Sequence, residues 1–383
     1  MSTGGTRAGI LRGHGLDAAP AAVRTAGDAM WAMILKEFLE LRRDRRTMAM
    51  IIALPLLLLV IFGYAANFRV DDLKTRVVGP QAAQVAQQLE PPFDVTSVRP
   101  AEGRADGEKA LRSEKAAVVV VTSARPGPPT ALIDGSQLFS AQSASAAAAA
   151  SNGALRPQVL FNPHLKTSWV MVPGLVGMIM AFIGTIVTAI GLVRERQAGT
   201  LEQLAVMPFR PSDVIAGKIA PYFVLAAVDM VLVTVIGCLL FGVPFSGNVA
   251  VFALGAALFL FVVLGLGVLI STLSQNQGQA MQMALMTVMP QILLSGMIFP
   301  LTAMAAGVRW IGYVLPLTYF NMISNGVMLR NAPISSLALP LGVLAFMAVL
   351  VFSGAVLRFR RDLAPSAPRA VPAKAPALAG EAR

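Results

Sequence analysis

Long apolar runs separated by short charged stretches dominate this chain. Six of them approach the roughly 20 residues that a helix needs to cross a bilayer: Met48 to Ala66, Ser168 to Val193, Ala220 to Phe241, Val249 to Leu273, Ala280 to Phe299 and Leu337 to Leu357. The pattern changes scale between the first two runs, over positions 67–167. There short segments alternate in type. Gln81 to Leu89 and Glu108 to Glu114 read as helices, and Phe93 to Val98 reads as a strand. Ala117 to Val121 and Thr130 to Ile133 read as buried strands, the second ending in the turn signal Asp134-Gly135-Ser136. Ser140 to Ala150 is rich in Ala and Ser and reads as a helix leading back to the membrane. The alternation predicts a small α/β domain.

Upstream of the first run, positions 28–47 carry apolar residues at helical spacing: Trp31, Ile34, Leu35, Phe38 and Leu41. Lys36, Glu37, Glu40, Arg43 and Asp44 fill other positions. Such a helix is too charged to span and is expected to lie along the bilayer interface. Positions 1–27 and 364–383 read as flexible tails, the second rich in Pro and Ala. The stretch 300–336 holds Trp310, Tyr313, Tyr319 and Phe320, which is aromatic for a free loop. Trp and Tyr favour membrane interfaces, so short helices dipping into the outer leaflet are expected.

Composition agrees. Only 13% of residues are charged, against about a quarter in a soluble domain, and the mean hydropathy is +0.67. The net charge of +11 does not point to nucleic acid. Its basic residues gather at membrane edges. Lys36, Arg42, Arg43, Arg45 and Arg46 precede the first run, Arg358, Arg360 and Arg361 follow the last, and Arg194, Arg196, Arg210 and Lys218 fall between the second and third. With six spans these share one side, which the positive-inside bias makes cytoplasmic together with both termini. The short opposite loop, Gly242 to Asn248, has no basic residue, whereas Arg309 and Arg330 fall on the outer side as exceptions.

The chemistry-bearing residues are few. The single cysteine, Cys238, excludes an intramolecular disulfide, and His14 and His164 have no ligand-spaced partners. Gly217-Lys218 resembles the end of a phosphate-binding loop, but Ser212 and Ile219 break its spacing and remove its hydroxyl. No residues support an enzyme. Asp229 is the one carboxylate inside a run. It reads either as a substrate or proton contact or as a structural hydrogen-bonding group, and it has no second intramembrane carboxylate for a relay. Gly174, Gly177, Gly184, Gly255, Gly265 and Gly267 either pack helices within the subunit or serve a contact between subunits.

The segment 194–218 is the most specific feature. It runs Glu195-Arg196-Gln197-Ala198-Gly199-Thr200-Leu201-Glu202-Gln203-Leu204, then Pro208, then Gly217-Lys218. Thr200 is placed to cap a short helix through Leu204 that Pro208 and Pro211 end. This pattern resembles the cytoplasmic loop of type-2 ABC transporter permeases. Lys36-Glu37-Phe38 followed by Arg43-Asp44-Arg45-Arg46 resembles the interfacial helix of the same family. The resemblance covers about Trp31 to Arg361. It implies an all-α polytopic membrane protein: six transmembrane helices, an N-terminal interfacial helix and an inserted extracytoplasmic α/β domain. It implies a re-entrant hairpin over 300–336 and a coupling role for 194–218. It further implies an exporter subunit of the inner membrane that binds no cofactor, with ATP and Mg held by a separate ATPase subunit. A second permease subunit, identical or related, is the other implied partner. The substrate class is a drug, a lipid-like molecule or a polymer, and the sequence leaves open whether a periplasmic adaptor takes part. Two other classes remain: a secondary transporter driven by an ion gradient, and a membrane anchor or sensor that transports nothing.

Overall fold

A computed structural model of the chain describes residues 72–124, 127–198 and 211–363, the side chains of 211–218 and 359–363 apart. The expected interfacial helix with Trp31, Lys36, Glu37, Phe38, Arg43 and Asp44 lies outside the described residues. So do the two expected tails, the expected first span and the loop residues Gly199, Thr200, Leu201, Glu202, Leu204 and Pro208.

Positions 73–160 form an α/β domain. Its elements run β1 (Leu73–Val78), α1 (Ala82–Gln88), β2 (Phe93–Arg99), α2 (Arg104–Arg112), β3 (Val118–Val121), β4 (Thr130–Asp134), α3 (Leu138–Ala150) and β5 (Arg156–Leu160). The sheet order is β2-β1-β3-β4-β5. Only β3 and β4 pair antiparallel, as the short connection between them allows. The parallel pairs need crossovers, and α1, α2 and α3 lie in those connections. Alternation along the strands sends side chains to both faces. Val118 and Val120 pack with Ala131, Ile133, Ala141 and Ala144 on one face, and Val119 packs with Leu132, Ala110 and Leu111 on the other. Expectation and structure differ in three places. Helix α2 begins at Arg104 rather than Glu108, its first amide capped by the Asp106 carboxylate at 3.2 Å from Gly103 N. Strands β1 and β5 were not expected. Lys74 and Arg76 interrupt the apolar pattern of β1, although Leu73, Thr75, Val77 and Val78 are buried, and Arg156-Pro157-Gln158 makes β5 polar.

The other described elements are helices: α4 (Thr167–Gln197), α5 (Pro211–Phe241), α6 (Val249–Leu273), α7 (Gln277–Leu294), α8 (Ala306–Val314), α9 (Pro316–Met328) and α10 (Ile334–Leu363), with one 3-10 turn before α8. Among the described residues four stretches are long and apolar enough to cross a membrane: Thr167–Gln197, Ile219–Phe241, Val249–Leu273 and Ile334–Arg358. The expected fifth run is shorter than read. Helix α7 starts earlier, at Gln277, capped by Asn276, and ends at Leu294 where Ser295 and Gly296 turn the chain. Its four glutamines, Gln277, Gln279, Gln282 and Gln291, lower its apolar character. The aromatic stretch folds as a 3-10 turn (Leu301–Ala303) followed by α8 and α9. Helix α8 leaves Trp310, Ile311 and Val314 exposed, while α9 is buried along most of its length.

Small residues set the packing. Phe259 of α6 stacks on Phe320 of α9 with ring centroids 4.6 Å apart. A Cβ at Gly177 would collide with Phe320 and with Leu317, and one at Gly255 or Gly267 would come within 2.8 Å of Ile323 or Thr188. These glycines therefore serve helix contact within the subunit.

Candidate functional site at the two ends of the bundle

Helix α4 carries Glu195 and Arg196 on its last turn, one end of the segment read as the coupling loop. Helix α4 runs to Gln197 and helix α5 is described from Pro211. Gly217 and Lys218 thus belong to helix α5, not to a loop reaching 218, and α5 already includes the nine residues before the expected Ala220. Three contacts fix the flank. Arg196 Nη1 donates to the Ser274 carbonyl at 3.0 Å, tying α4 to the α6–α7 connection. Gln277 Nε2 donates to Gln197 Oε1 at 3.1 Å. The Tyr222 hydroxyl of α5 lies against Gly191 of α4, where a Cβ would collide with it. Below them Leu192, Ile219, Leu264, Val268 and Ala355 bury a cluster drawn from α4, α5, α6 and α10. The segment 198–210 therefore departs from two helices held on a common apolar base.

Asp229 sits half-buried in α5 and makes no hydrogen bond or ion pair among the described residues. Among the described residues it makes no hydrogen bond or ion pair with Glu195 or Arg196.

The other end of the bundle meets the α/β domain. There the turn after α9 holds Arg330, 2% exposed, beside Glu114 and Asp134. Arg330 Nη1 donates to Glu114 Oε1 and lies 3.6 Å from Asp134 Oδ2. Arg112 Nη1, at the end of α2, donates to the Arg330 carbonyl at 2.7 Å, and its guanidinium lies over the Phe161 ring at 5.2 Å. Glu114 reaches Arg330 from a left-handed backbone position (φ 56°) that ends α2. Asp134 Oδ1 accepts from both the amide and the hydroxyl of Ser136, the turn read from the sequence. Burial pushes the Asp134 carboxyl above the usual carboxylate range, against the pull of Arg330 and Ser136. Burial also disfavours the Arg330 charge, but Glu114 and Asp134 outweigh it and hold the guanidinium above its ordinary value.

Sequence reasoning set Arg330 aside as an exception to the charge bias. Its position offered a signal all the same. A cation on the side that should lack one calls for a local partner, and the domain supplies two. Arg309, the other exception, donates through Nη2 to the Thr302 and Met304 carbonyls at 3.0 and 3.1 Å.

Comparison with known proteins agrees with this architecture. The model of a family described as ABC-2 family transporter protein matches residues 45–357. The probable multidrug ABC transporter permease YbhR of Escherichia coli (strain K12) is 26% identical over 363 residues, covering 87% of this chain and 99% of the relative. The probable multidrug ABC transporter permease YbhS of the same strain is 28% identical over 341 residues, covering 79% and 89%. The inner membrane transport permease YhhJ of that strain is 30% identical over 217 residues, covering 55% and 56%. With the family match spanning most of the chain, the apolar helices and the charged helix ends acquire one explanation: the chain belongs to the ABC-2 transporter family and is a multi-pass membrane permease subunit of an ABC exporter.

Proposed function

We propose that this permease moves small amphipathic, drug-like molecules outward across the inner membrane, using ATP hydrolysed with Mg on a separate ATPase subunit. The relatives named as multidrug permeases support the substrate class. In this reading the chain has six spans, an N-terminal interfacial helix over 28–47, both termini in the cytoplasm and the α/β domain outside, and it works beside a second permease subunit, identical or related.

The observation that carries the coupling role is the flank of segment 198–210. Helices α4 and α5 are pinned through Arg196 to Ser274 and through Tyr222 against Gly191. A short helix hung between two pinned helices transmits a push instead of absorbing it. Glu195, Arg196 and Glu202 offer charge to the ATPase, Gly199-Thr200 opens the short helix, and Leu201, Leu204 and Pro208 shape it. Gly217 and Lys218, in the first turns of α5, act from its root. Asp229, half-buried and without a partner among the described residues, is a candidate contact for the polar part of a substrate.

Two variants test this. Glu202→Arg replaces attraction with repulsion in the ATPase contact, a change worth several kcal/mol in an interface. Gly199→Pro disfavours the helical conformation of Ala198. Each is expected to insert normally while ATPase co-purification and dye export are both lost. Normal co-purification and export in both variants would leave 198–210 as a plain connector.

A further inference from the structure

A cavity of about 240 Å³ opens where the α/β domain meets the helices. Residues from β1, the α2–β3 turn and the start of α3 form one side. The start of α4, the Ser295–Thr302 turn and helix α9 form the other. Phe139, Met171, Leu301 and Met322 give it an apolar body. Its polar wall is incomplete. Ser295 is 1% exposed, and its Oγ has no hydrogen-bond partner among the described residues. Asn325 donates through Nδ2 to Asn321 Oδ1 at 2.9 Å, but its own Oδ1 is buried and unpaired among them. Arg330 is held by Glu114 through Nη1, yet its Nε–H has no acceptor among the described residues. Buried polar groups are almost always satisfied. Three unsatisfied groups on one cavity wall therefore ask for a guest that brings both an acceptor, for Arg330, and a donor, for Asn325. The charged residues around the cavity, Asp72 and Glu114 against Lys74 and Arg330, cancel, so net charge on a guest gains nothing.

We propose that this cavity is a binding seat for a small amphipath of zero net charge whose head carries both a hydrogen-bond donor and an acceptor, as an amide, a sulfonamide or a zwitterion does. It rests on the export reading above, and it makes the junction a station through which the exported compound passes after leaving the helices. A rotation of the Ser295 hydroxyl and a small turn of the Asn325 amide bring both onto the head group, while the apolar body lies against Phe139 and Met171. The volume sits just below the range of about 300–1,000 Å³ usual for small-molecule sites, which limits the guest to one or two rings.

The experiment uses the permease co-purified with its ATPase in nanodiscs and titrates dansylamide, a neutral sulfonamide whose fluorescence rises in apolar surroundings. Dansylcholine, the cationic relative with the same fluorophore, is titrated in parallel. Wild type is expected to give a saturable rise above empty nanodiscs. Ser295→Ala and Asn325→Leu should each weaken it about tenfold, the size of one lost buried hydrogen bond, and dansylcholine should bind at least about tenfold more weakly. Ser295→Ala adds no volume, so it reports on the seat even if Asn325→Leu disturbs folding. Short-chain phosphatidylethanolamine added as competitor names the source: displacement of dansylamide assigns the seat to a lipid head group, and persistence assigns it to an exported compound. Absence of a saturable signal overturns the proposal, as does equal affinity in wild type and Ser295→Ala. If dansylamide fails to bind while the ATPase co-purifies and turns over, the seat falls and the export reading stands. If it binds in a permease that captures no ATPase, the reverse holds.

Discussion

At the domain end of the bundle Arg330 is 2% exposed and faces two carboxylates, whereas at the loop end Arg196 is half-buried and donates to a backbone carbonyl. The same residue type does different work in the two places. Where solvent is excluded, a lost partner leaves a bare charge that nothing screens, so the domain end tolerates little rearrangement. At the loop end water and neighbouring groups can replace a lost partner, so the contact can break and reform at low cost. In the proposed reading, where the loop end answers an ATPase while the α/β domain stays seated outside, this asymmetry is what the permease needs.

Removing Arg330 breaks the comparison most severely. Arg330→Ala leaves Asp134, 1% exposed, without its cation. Deleting one member of a buried pair costs about 3–5 kcal/mol, so thermal unfolding followed by size-exclusion chromatography should show a large fall in midpoint. An unchanged midpoint would mean that the domain does not depend on this clamp. A middle-sized effect is expected between the two ends, at Gly177→Val. The new side chain meets Phe320 and Leu317 in the tightest part of the bundle, and overpacking of this kind costs about 1–3 kcal/mol. The same assay should give a smaller fall than Arg330→Ala, and a fall as large as that variant's would put the helix core, not the domain clamp, first. The smallest stability effect belongs to Arg196→Ala, at most about 1 kcal/mol for one partly exposed hydrogen bond. Its signature should appear instead in turnover, as weakened stimulation of the ATPase by transported dye with the midpoint almost unmoved. A large midpoint shift without loss of stimulation would make Arg196 a structural residue and remove the contrast.

The sequence disclosed what repeats and obscured what depends on distant partners. Helix α6 was readable to its ends because an unbroken apolar run and the capping Asn248, which accepts from the Ala250 amide at 2.8 Å, are both local. Strands β2, β3 and β4 were readable for the same reason, since alternation or a valine run marked them. Strand β1 was not, because exposed Lys74 and part-buried Arg76 break its apolar pattern, and only its pairing with β2 and β3 makes it central. The end of α7 depended on the turn at Gly296 (φ 84°) within an apolar stretch. At the candidate site, the motif singles out Glu195 and Arg196, while Ser274, to which Arg196 donates, lies 78 positions away and no local pattern announces it. Arg330 and Glu114 are 216 positions apart, which is why a buried ion cluster looked like stray charge.

The central claim is that a partner ATPase, acting through the loop between α4 and α5, powers this permease. Reconstitution into proteoliposomes with and without that ATPase tests it most directly. Uptake of a fluorescent amphipath is followed under ATP, under a non-hydrolysable ATP analogue and under an imposed proton or sodium gradient. The account predicts uptake only with ATPase and hydrolysable ATP together, and no ATP hydrolysis by the permease alone. Uptake driven by an ion gradient in vesicles that lack the ATPase would contradict it.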